Sequence, residues 1–303
     1  MTVSNRWLFW TPTLIWASTW HVILYQLAET SAISGVATRF GLAALMLAAY
    51  ALATGQSLRM PWRLQGWLAG TGALQYGLNY TCVYEAERHI PSGLVAVLFS
   101  LMVFINALTG RLFFGRLLTP RFALCALAGV VGVVMIFWPE VVAARARPQA
   151  GLGLVLGLVA VLSACTGNVL TLKLTGRGVA LVPLLAWCMA YGSVLLTAVA
   201  LLSEPGLQLG HSLTWYLTLL YLAAFGSVIA FLTYFRLAQR EGPGKAAMTS
   251  VLIPVIALLI SAAFEGWRPH GLSLAGVALC LVSVFWATRP DATPLPAARP
   301  EAT

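Results

Sequence analysis

Along this chain, apolar runs of about 20 residues alternate with short polar turns. A helix that crosses a bilayer needs about 20 mostly apolar residues. The pattern predicts ten such helices, over 7–26, 33–54, 64–84, 91–114, 121–139, 151–173, 180–203, 213–235, 244–264 and 271–288. Gly, Pro and charged clusters punctuate most of the gaps. The first run is long and lacks a small-residue cleavage site, so a retained helix is expected there. The last stretch, RPDATPLPAARPEAT, is rich in Pro and Ala and is expected to be a disordered tail over 289–303.

Two stretches echo each other. Residues 86–113 read AERHIPSGLVAVLFSLMVFINALTGRLF, and residues 238–264 read AQREGPGKAAMTSVLIPVIALLISAAF. One fixed offset sets Ala86 on Ala238, Arg88 on Arg240, Pro91 on Pro243 and Val103 on Val255. Each stretch ends an apolar run in a charged turn, then places a Pro where the next helix begins. Proline suits a first helical turn because its missing N–H has no intrahelical partner there. The echo predicts a duplicated unit. The longest gap, around Pro139 to Ala150, divides two halves of five runs each. An odd number of spans turns the second half upside down relative to the first. The expected fold is an all-α integral membrane protein of ten transmembrane helices. Its two inverted five-helix repeats cover 1–145 and 146–288, and both termini are cytoplasmic.

Composition agrees. Of 303 residues, 60% are hydrophobic and only 9% are charged, against about 25% charged in a soluble protein. The net charge of +9 is explained by location rather than by nucleic acid. With the amino terminus inside, thirteen of the eighteen Lys and Arg fall on the cytoplasmic side. Arg88, Arg145, Arg147 and Arg268 fall outside, and Arg39 lies within a span. This is the bias of the positive-inside rule. The five cysteines all lie within spans, without metal spacing, and read as small packing residues.

Polar residues inside spans are the candidate chemistry, because hydrocarbon penalises them. The third span carries Gln75, Tyr76, Asn79, Tyr80 and Tyr84. Residues 76, 80 and 84 are spaced i, i+4, with 75 and 79 beside them. That face glues helices together or lines a substrate path. Arg39 sits about 9 Å into the second span at 1.5 Å per residue. It reaches headgroups or carbonyls, or it meets an anion in a cavity. Trp16 and Trp20 are one turn apart in the first span, as are Trp187 and Tyr191 in the seventh. Each pair is lipid-facing bulk or path lining. Ser100, Phe104 and Asn106 mark the fourth span, Ser227 the eighth, and Thr249, Ser250 and Pro254 the ninth. A Pro inside a span frees a carbonyl and kinks a helix. Gly129 and Gly132 in the fifth span permit close helix approach.

With RFGLAALML in span two, and the helix starts IPSGLVAVLFSL and GPGKAAMTSVLIPVIA, the chain resembles the drug/metabolite transporter superfamily. Within it the closest likeness is to the EamA family and its YddG-like amino-acid exporters, over about residues 7–288. Such repeats commonly carry a Pro where Met102 stands, and a Gly-Glu where this chain has Gly115-Arg116. The resemblance implies a multi-pass exporter of the bacterial inner membrane. Its substrates would be amino acids, above all those with neutral, aromatic or large apolar side chains, and related metabolites. It would work by alternating access around a central cavity built mainly by spans three, four, eight and nine. Carried onto this chain, the lining candidates are Gln75, Tyr76, Asn79, Tyr80, Ser100, Phe104, Ser227, Thr249 and Ser250. The gating candidates are Trp16, Trp20, Arg39, Trp187 and Tyr191, with Pro254 as a kink. The expected partners are a small molecule and the lipid bilayer, with no nucleic acid. A monomer without cofactor, metal or catalytic residue is expected.

No Asp or Glu lies in the middle of a span; Glu29, Glu85, Glu87, Glu140, Glu204 and Glu265 fall near ends or in loops. This argues against an intramembrane carboxylate proton relay and for export down a gradient. His21 is the deepest group that titrates near neutral pH. The rival reading is an exporter of drugs or other organic cations, which deep acids would favour. A membrane enzyme ranks below both, because the four histidines lie near different span ends and neither H-E-x-x-H nor G-x-S-x-G occurs.

Overall fold

The computed structural model describes residues 5–105, 120–143, 149–241, 246, 249–268 and 270–288. Asn106, Gly115, Arg116 and the tail over 289–303 lie outside the described residues. Within them the chain forms ten helical stretches and no strand. In chain order these are α1 (Asn5–Leu27), α2 (Ala32–Ala53), α3 (62–87), α4 (Ser92–Phe99), α5 (Pro120–Ala143), α6 (Gln149–Gly176), α7 (Leu181–Ser203), α8 (213–241), α9 (Thr249–Phe264) and α10 (Gly271–Thr288). They fall on the ten apolar runs. Four are long and apolar enough to cross a bilayer by length and composition: α2, α6, α7 and α8 over Leu213–Arg240.

Local chemistry sets the ends. Ser31 Oγ accepts the Ser34 N–H at 3.1 Å and starts α2, and Ser212 Oγ accepts the Trp215 N–H at 3.0 Å and starts α8. Each satisfies a donor that a first helical turn leaves over. Gly55 and Gly178, with φ of 69° and 85°, follow α2 and α6 in the left-handed turn that glycine tolerates best.

Both α3 and α8 contain a wide π-helical segment, Ala73–Leu78 and Leu222–Ile229. Such a segment turns carbonyls away from the usual i→i+4 ladder, and here neighbouring helices bond to them. Leu74 O accepts Ser163 Oγ of α6 at 2.8 Å, and Gly226 O accepts Trp16 Nε1 of α1 at 3.1 Å. The fourth helix breaks for another reason. Ser100, Leu101, Val103 and Phe104 each donate to the carbonyl three residues back, so the α-helical ladder is interrupted with no Pro present.

Helix pairing follows small residues. The main contacts join α5 with α10, α2 with α7, α3 with α6, α1 with α8, α3 with α7, α1 with α9 and α4 with α9. Shifting every helix number by five keeps the first four pairs and the last and carries α3–α7 onto the contact of α2 with α8, while α1–α9 goes onto the weaker contact of α4 with α6. A Cβ on Gly132 would lie 2.8 Å from Gly276 O, and one on Gly276 would lie 2.6 Å from Gly132 O. A Cβ on Gly41 would lie 2.8 Å from Ser193 Oγ. Lipid tails are as apolar as Leu, so helices in a bilayer associate through such close approach rather than through burial of oil. The outward face fits this, since Leu45, Val194, Leu202 and Phe264 are exposed. The five cysteines are buried and free, as packing residues would be.

Candidate functional site

Six helices, α1, α3, α4, α6, α8 and α9, enclose a cavity of about 80 Å³, room for several waters. Its walls are aromatic: Trp16 and Trp20 of α1, Tyr80 of α3, Phe99 of α4, and Phe231 and Tyr234 of α8. Its polar side is built by Thr19, Gln75, Asn79 and Asn168. Among the described residues, no charged side chain lines it.

The walls are held in place by one another. Trp16 stands edge-on to Phe231 at 5.2 Å between centroids and beside Tyr234 at 5.3 Å, while its indole N–H is spent on Gly226 O. Trp20 packs edge-on to Phe99 at 5.0 Å. Gln75 donates Nε2 to Asn168 Oδ1 at 3.3 Å, and Asn79 donates Nδ2 to Gln75 O at 3.2 Å. Two acceptors, Gln75 Oε1 and Asn79 Oδ1, and one donor, Trp20 Nε1, are buried without a partner. Buried polar atoms are normally paired, and these three belong to residues that line the cavity.

Of the candidate site residues, Trp16, Trp20, Gln75, Asn79, Tyr80 and Pro254 come together at this cavity. The others do not. Tyr76 and Tyr84 turn toward α2: Tyr76 meets Phe40 at 5.0 Å, and Tyr84 lies against Gly35. The i, i+4 stripe of tyrosines is therefore mainly a packing face, and the cavity face of α3 is 75, 79 and 83. Ser100 Oγ donates to Val97 O of its own helix at 2.7 Å. The Phe104 ring faces Gly129 of α5. Thr249 Oγ1 donates to Ala246 O at 2.7 Å. Trp187 Nε1 donates to Leu58 O at 2.8 Å, and Tyr191 OH donates to Gln65 Oε1 at 2.7 Å. Both fasten α7 to the α2–α3 turn, away from the cavity. The Ser250 side chain lies outside the described residues.

Arg39 is fully buried one layer behind the wall. Its Nε donates to Ser227 Oγ at 3.0 Å and Nη1 to Tyr84 OH at 3.4 Å. The guanidinium carbon lies 4.6 Å from the Tyr80 ring centroid and 5.2 Å from that of Phe40. Two aromatic faces and two hydroxyls thus hold the charge. Arg39 and Ser227 position Tyr80 and the α8 segment rather than facing the cavity.

Sequence reasoning missed Phe99, Asn168, Phe231 and Tyr234 as lining. Asn168 was readable as an amide inside a span, and Phe231 and Tyr234 as aromatics three apart. It also credited too little of the lining to α1 and α6. Met102 and Pro254, equivalent under the echo's offset, both line the cavity. The acids at the ends of spans are less exposed than their positions imply: Glu87 is buried and Glu265 is partly buried.

The EamA-like transporter family model matches this chain twice, over residues 7–138 and 151–289. Protein PecM of Dickeya dadantii is 29% identical over 68% of each chain. The uncharacterized inner membrane transporter YedA of Escherichia coli is 26% identical over 90% of this chain and 89% of its own. A probable amino-acid metabolite efflux pump of the same species is 26% identical over 65% of this chain and 67% of its own. A solved crystal structure shares the fold, with a TM-score of 0.68 at 21% identity, covering 94% of this chain and 96% of the other.

Proposed function

The chain belongs to the EamA-like transporter family, and on that premise we propose that it exports small neutral metabolites across the bacterial inner membrane, amino acids with large apolar side chains foremost. The observation that carries the substrate class is the cavity: aromatic walls and, among the described residues, no lining charge and the unpartnered Gln75 Oε1, Asn79 Oδ1 and Trp20 Nε1. Carbonyl oxygens and aromatic faces suit an ammonium group. The indole N–H suits a carboxylate oxygen, and the remaining apolar wall suits a hydrocarbon or aromatic side chain. The printed names of two relatives, an inner membrane transporter and a probable amino-acid metabolite efflux pump, support both location and class.

Transport proceeds by alternating access of two inverted five-helix halves, 1–145 and 146–288, around this cavity. Several observations support that reading. The family model matches twice. Most of the helix pairs keep their partner under a shift of five. The offset that sets Ala86 on Ala238 carries the first π-helical segment onto 225–230, overlapping the second. The same offset sets Gly41 on Ser193, and these two touch, as a pair on a two-fold axis must.

A second reading, export of organic cations, draws on the same two free carbonyl acceptors and aromatic faces. Liposomes bearing the purified protein separate the two. Saturable flux of leucine with none of its decarboxylated amine supports the first reading. The reverse result replaces it with the second.

A further inference from the structure

The faces that line the cavity continue past its end, and there they turn polar. On α3, Gln75, Asn79 and Val83 line the cavity, and Glu87 follows on the same i, i+4 face, about 6 Å further by helical rise. On α4, Ala96 lines the cavity, and Ser92 lies one turn before it. On α9, Ile253 and Pro254 line it, with Ser261 and Glu265 further along that stripe. On α1, Trp20 and Ile23 line it, and His21 lies between them. All of these polar groups stand at the end that the positive-inside rule places outside.

Their bonding is lopsided. Glu265 receives four donors. Its Oε1 accepts from Ser92 Oγ and lies 3.0 Å from His21 Nδ1, while Oε2 accepts from the Ser92 N–H at 3.0 Å and from Ser261 Oγ at 2.8 Å. It closes the first turn of α4 against α1 and α9. Burial pushes this carboxyl up, but the bonds from Ser92, His21 and Ser261 outweigh that and hold it below its ordinary value. Glu87, only 7% exposed, has no partner for either oxygen among the described residues. A carboxylate there would be buried with nothing donating to it, whereas the protonated acid is neutral.

The groups that face Glu87 are Glu265 beyond α9, Arg39 on α2 and Tyr84 on its own helix. His21 of α1 acts through Glu265. Glu85, Arg88 and His89 pair with one another at the rim, and α4 and the first turns of α6 carry no titratable side chain.

We propose that Glu87 is a proton-binding site that latches the outer end of the cavity, protonated while that end is closed, as here, and ionised when it opens to water. This rests on the transport reading above. On opening, the acid O–H bond breaks, the proton passes to outer water, and the electron pair stays on the carboxylate. Closing reverses the step. The closed form holds the extra proton, so acid outside favours closure and rising pH favours opening.

Infrared spectra of the full-length protein in liposomes test this without a substrate. The expected result is a protonated-carboxyl band that fades across a titration toward higher pH, is absent from Glu87→Gln and persists in Glu265→Gln. Glu87→Asp, which keeps the acid, shifts the band and covers the case in which the Gln variant fails to fold. Leucine efflux should rise several-fold over the same range and lose most of that rise in Glu87→Gln. A band unchanged by Glu87→Gln, or efflux equally pH-dependent in that variant, overturns the proposal. If neither protein carries leucine, the substrate reading fails while the band still decides the proton site.

Discussion

Gln75 lies in a notch left by Gly167: a Cβ on that glycine would fall 2.2 Å from Gln75 Oε1. The amide fits against α6 at the cavity edge because the facing helix has no side chain there. Gly167→Ala should push Gln75 out of place, cost about 1–3 kcal/mol of stability as overpacking does, and reduce transport as strongly as Gln75→Ala. Thermal unfolding and flux on the single and double variants check this, and the double should lose little more flux than either single.

Trp16→Phe keeps an aromatic wall and removes the N–H that bonds Gly226 O. The carbonyl freed by the α8 π-helical segment would then lack its donor, at a cost of about 1–3 kcal/mol for a buried unpaired group. Unfolding in detergent measures it. In the other half, Ser163→Ala should cost less, because Leu74 O still accepts the Asn79 N–H.

At Arg39, Lys is expected to be worse than Met. Lysine would keep a buried charge and lose the bond to Ser227, the bond to Tyr84 and the flat stacking on Tyr80 and Phe40. Methionine removes the charge with its desolvation cost. The expected order of melting temperature is Arg39, then Met, then Lys; a Lys variant as stable as the native protein would contradict the stacked-cage account.

Glu29 joins the end of α1 to the start of α8. Its carboxyl is held below the ordinary 4.5, first by Ser212 Oγ, then by the His211 and Ser212 N–H groups. The native form therefore binds fewer protons here than the unfolded chain. The contribution is fully present above the ordinary value and is lost as pH falls through the lowered one. Stability measured against pH should show an acid limb below about 4.5 that is shallower in Glu29→Gln.

Element placement was legible because the bilayer imposes one rule, an apolar run of fixed length. Hence Ala32, Leu181 and Gly271 begin helices within a residue of the expected starts. The cavity was only half legible. Gln75, Asn79 and the two α1 tryptophans stood out because polar or bulky groups inside spans need a reason. The direction each helix faces did not show. Tyr76 and Tyr80 differ by one turn and both pack on Phe40, yet only Tyr80 lines the cavity. Trp187 and Tyr191 had the right chemistry, but the backbone at Leu58 and the amide of Gln65 claim them. Nor does linear position reveal burial: Glu87 ends its helix and is still closed off from solvent.

Leucine flux through liposomes bearing the native protein, Asn79→Ala and Trp187→Ala tests the central claim most directly. The account predicts saturable flux, lowered about tenfold or more in Asn79→Ala, where a hydrogen bond to a charged group worth about 1.5–3 kcal/mol is lost, and nearly unchanged in Trp187→Ala. Equal loss in both variants, or flux indifferent to Asn79, would contradict the placement of the substrate in this cavity.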